Sequence, residues 1–317
     1  MLAAKSAGCA TRGKIVVCHG AFDVDDVPQV YAVANTRGLL AYHASTRATF
    51  EVEFRGASGG HAMAESSSHS ASAVDAAALV ERVCAAAQLS APSVALSSGV
   101  YEAVLDATAA GQLIRYIGLT CGARLTEAGG SFLSDRLGQL VADERVTIVD
   151  DFEDLEHRGA PFDVEGVARK KVPIIENGVA RSAVYALATA LRLEHPPTGH
   201  RQWSDGFRQF EGASFLVMAG EDHGLTDLIA TVDRGVYIQA FDQLSMIDSQ
   251  RLHLTGMVRG ATRVIERGRL ASIAPPMRVD LRVLDVLSSI RKLGRPRWAA
   301  GSVVPPMVVR ALPLHPG

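Results

Sequence analysis

The stretch VPIIENGVARSAVYAL, residues 172–187, restricts the fold of this chain more than any other. Its apolar runs flank Asn177-Gly178, and a type I′ turn needs positive φ at both central positions, which Asn and Gly tolerate. The segment predicts a tight antiparallel hairpin. TRVIERGRLASI, residues 262–273, repeats the pattern with Gly268 at the turn. Hairpins outnumber βαβ units along the chain, so the expected class is α+β with largely antiparallel sheets and flanking helices.

Ahead of these hairpins, residues 13–22 and 30–54 alternate apolar and polar side chains and are rich in β-branched and aromatic types, the signature of a strand meander. Thr36-Arg37-Gly38 supplies one of its turns. ASGGHAMAESSSHSAS, residues 57–72, has the composition of a small-residue loop, and residues 74–87 that of a helix with Leu79, Val80 and Val83 on one stripe. Pro92 closes this unit, which divides the chain into residues 1–91 and 92–317. Beyond it, VALSSGVYEAVLD reads as strand, turn and strand. A helix over about residues 108–119 follows, with Leu113, Ile114 and Ile117 at helical spacing. RVTIVDD and ASFLVMAG read as strands, and residues 225–231 as a short helix. Val283, Leu284, Val286, Leu287 and Ile290 form a helical face ended by Gly294 and Pro296, and GSVVPPMVV is the last strand.

With 317 residues, 48% apolar and 21% charged, the chain can bury two cores. A net charge of −2 offers no clustered basic footprint for a nucleic acid backbone. Cysteines 9, 18, 84 and 121 show no CxxC pairing, so neither a zinc knuckle nor a disulfide framework is expected. No signal-type h-region and no run of about 18 apolar residues occurs, and a cytoplasmic protein without a membrane span is the expectation.

Few side chains are arranged for chemistry. His61, Glu65 and His69 fall at i, i+4 and i+8, a metal-ligand spacing on a helix, but Gly-Gly and the serine run predict a loop with exposed histidines. Asp150, Asp151, Asp163 and Glu165 offer paired carboxylates for acid/base work or, with no adjacent nucleophile motif, acids that cap turns. His195 and His200 flank a proline doublet that holds its segment extended. Asp151, Asp163, His195 and His200 are the candidate contacts for a substrate or partner. No G-x-S-x-G, Walker A, G-x-G-x-x-G or H-E-x-x-H motif is present.

Several phrases in order carry a resemblance: AVANTRGLLAYHASTRATFEVE, SFLSDRLGQLVADERVTIVDD, APFDVEGVARKKVPIIENGVARSAVYAL, a TGH segment and LTDLIATVDRGVYI. From about residue 32 to residue 307 the chain resembles the TldD/PmbA (TldD/TldE) family, with the IENG hairpin and the PFD-x-EG loop as its specific marks. In that family a TldD-type subunit carries a His-Glu-x-x-x-His helix whose histidines bind zinc and whose glutamate activates water. It pairs with a TldE-type subunit lacking those ligands to form a cytoplasmic peptidase.

The resemblance places that helix on GQLIRYIGLTCG, where Gln112, Arg115, Tyr116 and Cys121 occupy a degenerate site. A cation amid the ligands opposes a metal ion, and one cysteine cannot hold zinc. The ending AAGSVVPPMVV is similar to the TldE type. HLTGMVRGATRVIERG departs from the family pattern, as does the lack of the further helices that relatives carry before AVANTRG, so those elements are either naturally absent or supplied in trans.

What this implies is a metal-free subunit, with no catalytic residue or cofactor of its own. Its expected partners are a zinc-bearing TldD-like chain and a peptide or peptide-like substrate, intermediates of natural-product (antibiotic) biosynthesis included. Two alternatives stand beside it: a stand-alone binding or regulatory protein of gyrase- or toxin-modulator type, and an independent enzyme that has repurposed Arg115, Tyr116 or Cys121.

Overall fold

The structure, a computed structural model, describes residues 15–24, 29–56, 61–88, 92–203, 209–260 and 262–317. Strands Ile15–Val24, Ala48–Gly56 and His61–Ser68 form a three-stranded antiparallel sheet. Helix α1, Ala76–Gln88, covers it. The even residues Phe50, Val52 and Phe54 point to the helix and meet Leu79, Val80 and Val83, the stripe expected from the sequence. Strands Gln29–Ala34 and Leu40–Ser45 stand apart as a two-stranded hairpin turning at Thr36-Arg37-Gly38.

Helix α2, Ala107–Thr120, starts and stops within one residue of expectation and is buried along most of its length. It packs against strands of two larger sheets. The six-stranded sheet runs in the order Arg297–Ala299, Ser302–Val304, Leu216–Met218, Ile148–Asp150, Val172–Glu176, Val179–Ala180. The nine-stranded sheet contains both Gly99–Leu105 and the final strand Met307–Pro316 near its middle. Both hairpins read from the sequence are present. Asn177 and Gly178 have φ of 48° and 77°, and Arg267 and Gly268 have 48° and 73°. The class is α+β, mostly antiparallel sheet with few helices.

Five local expectations need correction. Residues 61–68 are an edge strand and not a loop, because register pairing with Ala48–Gly56 overrides the weak strand propensity of serine. The segment before Asp106 holds the single strand Gly99–Leu105, with only an isolated bridge at Ser93. Ile290 begins a strand after the short helix Val283–Ser288. GSVVPPMVV is split: Ser302–Val304 lies in the six-stranded sheet and Met307–Pro316 in the nine-stranded one, since Pro305-Pro306 cannot donate to either ladder. Cys84 is disulfide-bonded, contrary to the expectation of unpaired thiols, while Cys121 is free. No helix among the described residues is long and apolar enough to cross a membrane.

Candidate functional site

Helix α2 carries the residues expected to mark a degenerate site, and each has a structural partner or faces away from the others. Gln112 makes a reciprocal pair with the Phe241 backbone, its Nε2 donating to the carbonyl at 3.0 Å and its Oε1 accepting from the N–H at 2.7 Å. Tyr116 donates its hydroxyl to the Leu244 carbonyl at 2.7 Å, and burial raises its pKa. These two clasps tie α2 to the strand Phe241–Asp248. Arg115 is exposed.

Cys121 is fully buried just past the helix, its thiol donating to the Gly118 carbonyl at 3.3 Å. Burial pushes its pKa far up, and the nearby Asp150 and Glu211 charges add to the rise. A thiol held protonated in this way is not a nucleophile. The donor set does not suit zinc either: an exposed guanidinium, an amide and a phenol already bonded to backbone, and one protonated thiol. Among the described residues, no three His, Cys, Asp or Glu side chains converge on a point that a metal ion could occupy.

His61, Glu65 and His69 are spread along and just past an extended strand, where four residues span about 13 Å, too far for a shared metal. His61 is buried, not exposed, with Nε2 2.9 Å from Glu53 Oε1. Arg259 donates to Glu53 Oε2 at 2.6 Å. The His61 hydrogen bond, followed by the Arg259 charge, outweighs burial and brings the Glu53 carboxyl down to about 2.

The four candidate contacts separate into surface and interior. Asp151 pairs with Lys171 at 2.5 Å, and the exposed His195 stacks on Tyr185 at 3.8 Å. Asp163 and His200 face inward, and their polar atoms are hydrogen-bonded within the fold. Asp163 accepts from the backbone N–H groups of Glu165, Val167 and Arg201 at 2.9–3.0 Å, which builds the PFD-x-EG turn. His200 is completely buried. Its Nε2 lies 3.1 Å from Asp150 Oδ1 and its Nδ1 2.9 Å from Thr198 Oγ1. Neither ring nitrogen is left to accept a proton from Cys121.

Asp150 ends the strand Ile148–Asp150, and its Oδ2 accepts from Ser214 N and Phe215 N at 2.8 and 2.9 Å. Burial alone would raise this carboxyl. The hydrogen bond and charge of His200, the Phe215 N–H and the Arg169 charge outweigh burial and hold it below the ordinary carboxylate range.

A cleft of about 1100 Å³ lies between the strand His61–Ser68 with α1 and the start of α2 with the segment around Arg297. Glu65 and Asp106 lie in its lining. Glu65 Oε1 accepts from Thr108 Oγ1 at 2.8 Å and Ala300 N at 2.9 Å, and burial raises its pKa. Asp106 pairs with Arg297 and accepts from the Tyr237 hydroxyl at 2.7 Å. Gln239 closes one side by bonding both polar backbone groups of Met63. Asp106, Tyr237, Gln239 and Arg297 were not singled out from sequence, because nothing in their linear spacing marks them. Among these groups Asp106 is paired with a cation, whereas Glu65 is bonded only to a hydroxyl and a backbone N–H.

The model of the PmbA/TldA metallopeptidase C-terminal domain family matches residues 98–314. A protein named metalloprotease from Methanothermobacter thermautotrophicus is 30% identical over 198 residues, 62% of this chain and 43% of that protein. Another, from Methanocaldococcus jannaschii, is 25% identical over 194 residues, 61% and 43% of the two chains. The match thus spans less than half the length of these relatives. In fold the chain is similar to TldE from Thermococcus kodakarensis, with a TM-score of 0.85 and 18% identity over 98% of this chain and 72% of that one. It is similar also to a candidate modulator of a DNA gyrase from Thermotoga maritima, with a TM-score of 0.82 and 20% identity over 99% and 73%. With a family match over most of its length, this chain belongs to the PmbA/TldD metallopeptidase-like family.

Proposed function

We propose that this chain is a TldE-like, metal-free subunit that completes the substrate chamber of a cytoplasmic zinc peptidase or amide hydrolase. The metal and its activated water belong to a TldD-like partner, and the substrate is a peptide or peptide-like compound, natural-product intermediates included. One observation carries this reading: the side chains of α2 are committed to the fold. Gln112 and Tyr116 bond backbone, Arg115 is exposed, and Cys121 is buried as a neutral thiol. Zinc lowers the pKa of bound water where three protein ligands hold it, and α2 supplies none. The contribution of this chain is then assembly and substrate positioning.

Co-expression with a TldD-like chain, followed by size-exclusion chromatography and zinc analysis of each peak, tests the proposal. The expected result is a mixed complex with one zinc per pair and none on this chain alone. Stoichiometric zinc on the isolated chain, or failure to associate with any TldD-like chain, would overturn it.

A further inference from the structure

Glu65 is an acid of the cleft with which no cation pairs. Its Oε1 accepts from Thr108 Oγ1 and Ala300 N, and among the described residues no donor reaches Oε2. Asp106, in the same lining, is held differently, by Arg297 and the Tyr237 hydroxyl. The charge of Arg297 also acts on Glu65, but that guanidinium is already bonded to Asp106. On the adjacent strand the exposed Glu51 stands directly opposite Glu65, and like charges in that relation repel.

The other ionisable groups of the lining do not redress this balance. Arg295 pairs with Asp222 and His223 with Glu221, while Glu156 accepts from Trp298 N. Arg82 is on α1, against the face of the sheet where Ala62 and Ala64 point, and Glu65 alternates to the opposite face. A carboxyl buried without a counter-ion keeps its proton, and burial does raise the pKa of Glu65. A cation set against Oε2 would favour the ionised form instead.

Room for a ligand is present in the cleft of about 1100 Å³, and its lining is short of partners elsewhere too. The indole N–H of Trp298 and Nε2 of His69 are buried there with no hydrogen-bond partner. His69 Nδ1 donates to the Thr46 carbonyl, so Nε2 of the neutral ring is an acceptor. Glu65 Oε2 and His69 Nε2, well separated along the strand, both lack a donor.

The single free oxygen of Glu65 narrows the kind of cation. A metal ion needs three or more converging ligands, which the described residues do not offer. A guanidinium matches both oxygens of a carboxylate with its fork, whereas an ammonium is a compact point charge that one oxygen can receive. We infer that this cleft is a site for a primary ammonium group, which Glu65 receives through Oε2. The amino terminus of a peptide and a lysine side chain both carry such a group. The inference deepens the role in substrate positioning proposed above and rests on that reading for the use of the site, but binding is a property of this chain and is tested without a partner.

Isothermal titration calorimetry of the full chain tests it with trialanine amide, N-acetyl-lysine amide and N-acetyl-trialanine amide. The expected result is that one or both of the ammonium-bearing compounds bind at least about tenfold more tightly than the acetylated trialanine. Which of them binds identifies the source of the ammonium. At about pH 5, just above the ordinary carboxyl value of 4.5, binding should release protons from Glu65, counted by titration in two buffers of different ionisation enthalpy. Glu65→Gln keeps an acceptor for Thr108 and Ala300, and it should erase both the preference and the proton release. Glu156→Gln, in the same lining, should retain both. Equal affinity for capped and uncapped compounds, no binding of any of them, or a preference that survives Glu65→Gln would overturn the proposal. The zinc analysis of the mixed complex stands or falls separately.

Discussion

Asp150 offers the sharpest test of what holds the C-terminal part together. Asp150→Ala leaves three donors without their acceptor: the buried His200 Nε2 and the part-buried Ser214 N and Phe215 N. Each orphaned donor costs about 1–3 kcal/mol, and removing one partner of a buried charged pair costs about 3–5 kcal/mol in all. These figures overlap because they count some of the same loss, so the expected destabilisation is about 3–5 kcal/mol. Asp150→Asn keeps one acceptor oxygen but turns an amide donor toward another donor, and about 1–3 kcal/mol should be lost. Urea unfolding at neutral pH, with an unchanged m-value as the check on two-state behaviour, measures both.

Titration adds a second readout. The folded-state pKa of Asp150 is depressed, so the unfolded chain binds more protons across that interval. Its contribution is fully present above the ordinary value of 3.8 and is lost as pH falls through the lower folded one. The gap between the wild-type and alanine proteins should therefore narrow below about pH 4. An alanine variant within about 1 kcal/mol of wild type, or one no worse than the asparagine variant, would refute this account of the pair.

Two further outcomes can be checked on the same protein. Glu65 has a raised pKa, so its folded state holds the proton longer than the unfolded state, and stability falls as pH rises from 4.5 through the folded value. Glu65→Gln keeps the acceptor for Thr108 and Ala300 without the buried charge, and should be neutral or stabilising at pH 7 with that slope removed in thermal melts. Cys121 should resist iodoacetamide in the native protein and react only after denaturation, which mass spectrometry of its peptide would show. Labelling under native conditions would revive an independent thiol enzyme.

What the sequence revealed were local backbone requirements. Asn177-Gly178 and Gly268 announce their hairpins because positive φ is a property of one or two residues, while the positive φ of Arg267 shows only in the structure. Helix α2 was legible because Leu113, Ile114 and Ile117 repeat at helical spacing and are all buried. The strand His61–Ser68 was not, since its serines have no strand preference of their own and only the neighbouring strand fixes them. The pairing of Asp150 with His200, fifty residues on, and of Asp106 with Arg297, far along the chain, exists only once the sheets have formed. Aspartates suspected of making turns do so at Asp163, whereas Asp150, beside it in that list, anchors a histidine that no spacing connects to it.

The proline doublet at 305–306 has a consequence for how this molecule is made. The strand after it, Met307–Pro316, follows all the other described strands in chain order, yet it lies between Gly99–Leu105 and Met277–Arg282 and also pairs with Ile290–Leu293. Until those residues emerge, the nine-stranded sheet is two separate halves with unsatisfied edges. Through the same doublet the strand is joined to Ser302–Val304 of the other sheet, so its arrival locks both. Long-range closure of this kind is slow and leaves strand edges exposed while it waits. A chain cut before residue 307 therefore lacks the strand that joins the two halves of the nine-stranded sheet.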